Sequence, residues 1–443
     1  MSTFARSAGA LTLFVFLLSL SLPITVAQDA PFTIQADADL QPTLAALYGA
    51  RHDGAAPAFV EEGSDLLATA DAEALAAAYD GLPAYFLPGA GLVALSDNAD
   101  AAAFIDFAVS ADGQAALIDA GLLPATVTVT DQGGNEIELA QPVRRILSPY
   151  AIGTYYVYGV GAEDRLIAAN ILGREGPAAE NMARIDPRFP EIDSIMQMSQ
   201  KEINVEEAAA LEPDLILAST RTAWIDAVRE LGIPLVLYEG ETPEALKEAV
   251  RLTGQFLGPN AAARAEAWAA YYDAVFQTIV EKTNALEEAG RVKVLFTGTE
   301  PLRVASGEMY QTAMIEAAGG ISVSAALTGF WNDVNLEQVL IWNPDVIFVP
   351  SYGGASVEAI TGSAEWQALD AVKAGRVYSL PQFSAPLDTP VPDSVLGVIW
   401  MANTLYPDLL GDDLDCATET TYFYKTWYDY AMSDEEAAAF CGQ

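Results

Sequence analysis

Arg174, Arg221 and Arg303 stand out in a chain with only 21 basic residues against 61 acidic ones. Each lies just beyond, or within, a short apolar run of the kind that forms a strand. Trp224 follows Arg221 closely, and Trp331, Tyr352 and Phe383 fall in loops between later apolar runs. A guanidinium is a planar fork of donors that fits carboxylate and oxyanion oxygens, while aromatic rings cover flat apolar groups. That pairing suits capture of an anionic or chelated molecule. Ser148 and Tyr150, after another apolar run, and Met309, Tyr310 and Gln311, at the head of a helical stretch, complete the candidate ligand contacts. Groups for catalysis are scarce. The chain has one histidine, His52, no GxSxG nucleophile motif, and two cysteines, Cys416 and Cys441, both near its C-terminal end. Imidazole acid–base chemistry, imidazole-bound zinc and a thiolate nucleophile in a cleft are all disfavoured, so no catalytic or metal-ligating residue is assigned.

Contacts of this kind need loops held at the carboxyl ends of strands, where open α/β sheets bind ligands. Residues 126–130 and 136–139 alternate apolar and polar side chains around Gly133 and Gly134, which predicts a β-hairpin. Short apolar strands then alternate with helical stretches. One series is 145–147, 166–169, 215–218 and 235–238; a second is 292–296, 346–349 and 377–380. Such alternation signals parallel βα units. Between the series, Trp268, Tyr272, Val275, Phe276, Ile279 and Leu286 recur at helical spacing across 260–289. At 1.5 Å per residue that helix would reach about 45 Å, the width of a two-lobed protein.

The expected α/β fold is therefore two Rossmann-like lobes joined by a single long helix, with a ligand cleft between them. A small α/β N-terminal domain precedes them. In it, 32–35, 57–60, 85–87 and 92–95 read as strands, and 40–48, 71–79 and 99–108 as helices. The expected boundaries are 28–125 for this domain, 126–258 for the first lobe, 259–290 for the connecting helix, and 291–443 for the second lobe and tail.

Residues 1–27 read as a cleavable signal peptide, with Arg6, an apolar run over 11–22 and small residues at 25–27. The run is about a dozen residues, short of the ~20 that span a bilayer. A periplasmic or extracellular location is expected, and there Cys416 and Cys441 should form a disulfide that pins the tail against the second lobe. The net charge of −40 argues against a nucleic-acid binder and against direct attachment to anionic lipid, both of which need positive charge. Residues 28–125 concentrate the imbalance, with fifteen acidic residues against Arg51 alone.

Six ordered motifs carry a family resemblance: 144–149 (RRILSP), 159–167 (GVGAEDRLI), 204–216 (NVEEAAALEPDLI), 335–347 (NLEQVLIWNPDVI), 371–378 (AVKAGRVY) and the segment 396–407. Through them residues 126–435 resemble the class III periplasmic substrate-binding proteins of ABC importers, the group that carries ferric siderophores, haem and cobalamin. The resemblance implies a binding module that is no enzyme and has no intrinsic cofactor, with a metal-containing complex as ligand. Tyr150, Tyr310 and Tyr352 then become possible ligands of ferric iron or haem. The implied partners are the small-molecule ligand and an ABC permease dimer with its ATPase, which would be the protein's only contact with the membrane. Glu206 lies seven residues before Pro213, and Glu337 seven before Pro344. These are matching places early in a helix of each lobe, and the resemblance gives both glutamates the role of docking onto permease arginines.

Residues 31–125 resemble something else. The segments 36–44 (ADADLQPTL), 63–67 (GSDLL), 103–107 (AFIDF), 110–118 (SADGQAALI) and 121–124 (GLLP) are similar to one truncated lobe of molybdate-type oxyanion-binding proteins. With the partner lobe missing, a vestigial or docking domain is expected, in which Ser64 is the residue placed to touch an anion. The alternatives to a chelate carrier are a molybdate or tungstate carrier, a ligand sensor, and an enzyme on the same fold.

Overall fold

The computed structural model of the protein describes residues 31–79, 81–172, 176–192, 202–284, 286 and 290–442; the expected signal peptide lies outside them. The first lobe is a sheet of Leu235–Tyr238, Leu215–Ser219, Ile146–Ser148 and Leu166–Ala169, side by side in that order. The second lobe is a sheet of Ile321–Ser322, Lys293–Phe296, Val346–Val349 and Val377–Ser379. Every pairing in both sheets is parallel. Numbered along the chain, each lobe sets its strands in the order second, first, third, fourth. One topology is used twice.

Parallel strands are covered on both faces, so they read as unbroken apolar runs, and successive side chains serve different cores. In the first lobe Ile146, Leu215, Leu217, Val236 and Tyr238 join the central core, while Leu147, Ile216 and Leu237 join an outer one. The second lobe divides the same way, with Val294, Phe296 and Phe348 inward and Leu295, Ile347 and Val349 outward. The strand-like stretch at Arg303 is the strand Arg303–Val304, but its ribbon partner Asn332–Asp333 and the second-lobe strand Ile321–Ser322 were not expected from sequence. At two residues per strand they carry no periodicity to read.

The connecting helix is Pro259–Thr283, with proline in its first turn, where the missing N–H costs nothing. It was expected to continue to 289. Instead Asn284 caps it, and Leu286 N donates back to Thr283 O in a turn. At 1.5 Å per residue the helix is about 37 Å long. Trp268, Tyr272, Val275 and Ile279 bury one of its faces in the central core. Gly258, at φ 103°, ends the preceding helix Pro243–Leu257 and begins this one. A Cβ there would come within 2.3 Å of the Gln114 side chain, so this junction requires glycine.

The N-terminal domain is a five-stranded sheet in the order Ala58–Phe59, Thr33–Ala36, Leu66–Thr69, Ala90–Ala94, Ala84–Leu87. Its helices include Gln41–Arg51, Ala72–Ala78 and Ala99–Val109. The central strand Leu66–Thr69 was not expected. The domain has its own core, built from Phe32, Leu44, Phe86, Phe104 and Leu117. It sits on the start of the connecting helix. Tyr85 N donates to Asn260 Oδ1 at 3.1 Å, Gln114 Nε2 donates to Leu257 O at 2.9 Å, and Arg144 pairs with Asp112 at 2.6 Å. Arg144 precedes the first strand of the first lobe, so this docking is at the amino ends of the strands, away from their carboxyl ends.

Helices Ser394–Leu405, Cys416–Tyr428 and Asp434–Cys441 finish the chain, and a disulfide joins Cys416 to Cys441. The tail is not confined to the second lobe. Tyr428 stacks on Tyr158 of the first lobe at 6.5 Å, and Glu436 forms an ion pair with Arg184 on the first-lobe helix Pro177–Ile185.

Candidate ligand-binding site

The matched topologies bring the carboxyl ends of the two sheets together. At one end of the junction, loops after Leu215–Ser219 and Leu235–Tyr238 meet the ribbon of the second lobe. Arg221 lies 4.7 Å from the centroid of the Phe330 ring across that junction, and its guanidinium pairs with Glu241 at 2.7 Å. At the other end, the Tyr155 hydroxyl donates to Leu172 O at 2.9 Å and to Ser384 O at 3.2 Å. Between the two ends the Tyr156 hydroxyl donates to Pro390 O at 3.0 Å. The Pro390 ring in turn lies within 3.5 Å of a Cβ built on Gly240.

Asp388 stands at this junction and is fully buried. Its Oδ2 accepts from the Tyr352 hydroxyl at 2.7 Å, and its backbone O accepts from Gln311 Nε2 at 2.8 Å. Its Oδ1 and the Gln311 Oε1 are buried acceptors without a hydrogen-bond partner among the described residues. Burial pushes the Asp388 carboxyl up to about 6, against the lowering effect of the Tyr352 hydrogen bond. Burial, and then the Asp388 charge, also raises the Tyr352 phenol. On the facing lobe Tyr150 is buried and stacks on Tyr238 at 6.4 Å. Burial first, then Glu241, pushes its phenol well above the ordinary range. The site thus has two parts: Tyr150 near Glu239, Glu241 and an Arg221 guanidinium already engaged on the first lobe, and Asp388 under Tyr352 and Gln311 on the second.

Of the expected contacts, the structure places Tyr150 near Arg221 on the first lobe and gathers Gln311 and Tyr352 at Asp388 on the second, with Trp331 beside Phe330 on the ribbon. The Trp331 ring packs on Gly298, where a Cβ would come within 2.8 Å of it. Other residues have different surroundings. Ser148 is fully buried, and its hydroxyl donates to Tyr150 O and accepts from Thr154 in the turn that starts the next helix. Trp224 belongs to the outer core of the first lobe. Met309 is buried in the central core. Tyr310 is also fully buried, bonded to Tyr272 at 3.0 Å and Ser394 at 2.7 Å, with its phenol pushed up to about 12 by burial. Phe383 packs edge-on against Tyr424 at 4.8 Å, under the tail. Arg303 pairs with the exposed Asp333 at 3.6 Å. Arg174 lies outside the described residues. Asp388, Phe330, Glu239 and Glu241 were missed, yet the rule that selected the others, position after a strand, also selects Glu239 and Glu241.

Glu206 and Glu337 are both exposed, in the first turns of Val205–Ala210 and Leu336–Trp342. In the N-terminal domain, Asp37 accepts from the Thr69 hydroxyl at 2.7 Å and from Ala70 N at 3.1 Å. An internal carboxylate therefore occupies the carboxyl ends of two central strands, where a sheet of this kind would hold an anion. The Ser64 hydroxyl is buried without a hydrogen-bond partner among the described residues.

Residues 155–383 match the family model described as periplasmic binding protein. The chain belongs to that family. Among its relatives, the molybdate-binding protein MolA of Haemophilus influenzae is 26% identical over 266 residues, covering 54% of this chain and 75% of MolA. A vitamin B12-binding protein of Pectobacterium atrosepticum is 27% identical over 229 residues, covering 51% and 76%. A periplasmic solute-binding protein of Veillonella parvula shares the fold with TM-score 0.62 and 25% identity, over 71% of this chain and 96% of that one. Molybdate-bound MolA aligns with TM-score 0.61 at 20% identity, over 69% and 99%.

Proposed function

We propose that this periplasmic binding protein captures a metal chelate between its lobes and delivers it to an ABC permease dimer with its ATPase. Ferric siderophores, haem and cobalamin are the ligand class. The observation that carries this reading is the make-up of the junction. Tyr150 comes from the first lobe and Phe330, Trp331 and Tyr352 from the second, and the Arg221 guanidinium over Phe330 is already held by Glu241. A large complex with flat apolar faces and polar edges uses such rings, whereas a bare oxyanion needs unengaged donors. The oxyanion reading draws on the likeness to MolA, and on that reading Arg221 would first have to leave Glu241. Delivery would use Glu206 and Glu337, one exposed carboxylate per lobe, to orient docking on a positively charged partner. Export through residues 1–27 would place the protein in the periplasm or outside the cell. Residues 28–125, 126–258, 259–290 and 291–443 would serve as accessory domain, first lobe, hinge and second lobe with tail.

The test is to purify the exported protein from its native source and measure its metals and absorbance. Iron or cobalt with a visible absorption band is expected. Molybdenum or tungsten bound without such a band contradicts the chelate reading.

A further inference from the structure

A cavity of about 680 Å3 lies away from the junction of the sheets, where the N-terminal domain, the first lobe, the connecting helix and the tail meet. Its walls include Tyr79 and Asp106 from the N-terminal domain, Glu163 from the first lobe, Arg264 from the connecting helix, and Trp427 and Asp429 from the end of Cys416–Tyr428. The importer reading makes no use of it. Its size is in the range of small-molecule sites.

Two buried N–H groups on these walls have no hydrogen-bond partner among the described residues: Nε of Arg264 and Nε1 of Trp427. Trp427 is only 2% exposed. Nη2 of Arg264 donates to Thr426 O at 3.3 Å and Trp427 O at 2.8 Å, near the end of that helix. Gly161 lies against the same group, and a Cβ there would come within 2.7 Å of Nε. Buried donors without partners are uncommon because they forfeit their hydrogen bonds to water. These two call for an acceptor.

Negative charge stands nearby. Burial, and then the charge of Asp429, raises the Asp106 carboxyl; Arg51 opposes this from its place over the Phe107 ring, 5.7 Å from the centroid. Burial raises Glu163 too. Arg264 feels Glu163 and Asp429 as charges, yet among the described residues neither closes an ion pair with it. Opposite charges held apart around a cavity fit a molecule that carries both signs.

We propose that this cavity is a second binding site, for a small zwitterion. Its ammonium group lies toward Asp106 and Asp429, beside the half-exposed Tyr79 ring, which offers a π face to a cation. Its carboxylate accepts from the N–H groups of Trp427 and Arg264. The walls come from four parts of the chain, so occupation holds the N-terminal domain to the hinge and the tail together.

Calorimetric titration of the exported chain with glycine betaine and with proline tests the site, with choline and acetate as half-ligand controls. One zwitterion per chain is expected, bound at least about tenfold tighter than either control, a difference of about 1.4 kcal/mol. Asp106→Asn and Trp427→Phe should each weaken it by at least about tenfold while keeping the wild-type fold by circular dichroism. If neither zwitterion binds, or choline binds as tightly, the proposal falls. It falls equally if both variants leave binding unchanged while Tyr352→Phe abolishes it, because the zwitterion is then in the junction between the lobes.

Discussion

Asn204 and Asn335 do the same work in the two lobes. Each caps a short helix with its side chain, accepting from Glu207 N at 3.2 Å and from Gln338 N at 2.8 Å. Each thereby sets an exposed glutamate, Glu206 or Glu337, in a first turn. The sheets behind them share one strand order. The loops at the carboxyl ends do not match. The first lobe presents Arg221 and Glu241 near the surface, whereas the second carries a proline-rich segment, 384–393, with two fully buried acids, Asp388 and Asp393. Asp393 accepts from Tyr424 at 3.1 Å and from the hydroxyls of Ser384 and Tyr428. A repeated scaffold can keep its outward-facing features equal while its loops diverge, because loop side chains contribute little to the packing that sets strand order.

The largest expected departure from symmetry is in the tail, which packs on both lobes but is cross-linked once. The disulfide closes a 25-residue separation. Replacing both cysteines with serine should destabilise the protein by about 3–4 kcal/mol in the chain-entropy account. Chemical denaturation measures this, and a loss below about 1 kcal/mol would show that packing on Tyr158 and Arg184 suffices.

Asp388 gives the next effect, and its sign is fixed by its raised carboxyl. Burial holds the folded-state value at about 6, above the ordinary value near 4. Between those values the folded state binds the extra proton, so stability falls as pH rises through about 4 to 6 and levels off above. The loss is on the order of 3 kcal/mol at most. Asp388→Asn removes it and supplies a donor for Gln311 Oε1. The variant should be more stable than the wild type near pH 7 and lose that advantage near pH 4. Parallel stability curves for the two proteins would refute this.

Arg221 and Arg303 break the comparison differently. Arg221→Ala should weaken binding of the copurified ligand by roughly two- to thirtyfold, since its guanidinium, already held by Glu241, contributes through its stacking on Phe330, about 0.5–2 kcal/mol. Arg303→Ala should leave it within about twofold, because an exposed pair such as Arg303–Asp333 contributes ~0–1 kcal/mol. Equal losses in both titrations would put the ribbon's outer edge in the site.

Much of the scaffold was legible because βα alternation, a long periodic helix and post-strand loops are local patterns. What the sequence could not convey was direction. Ser148, Trp224 and Tyr310 all sit beside strand ends, yet each turns its side chain into packing. Phe383 turns under a tail that follows it by some forty residues. Asp388 escaped notice because an acid in a proline-rich loop reads as solvated; only the folded chain closes Tyr352 and Gln311 over it. Strands as short as Ile321–Ser322 left no pattern to find.

The symmetry itself is tested most directly by measuring ligand affinity and uptake together in a Glu206→Arg, Glu337→Arg protein. The account predicts affinity within about twofold of wild type, well under the 1.4 kcal/mol that marks a tenfold change, with uptake reduced by more than about tenfold. Unchanged uptake in the double variant would contradict the docking role of both lobes.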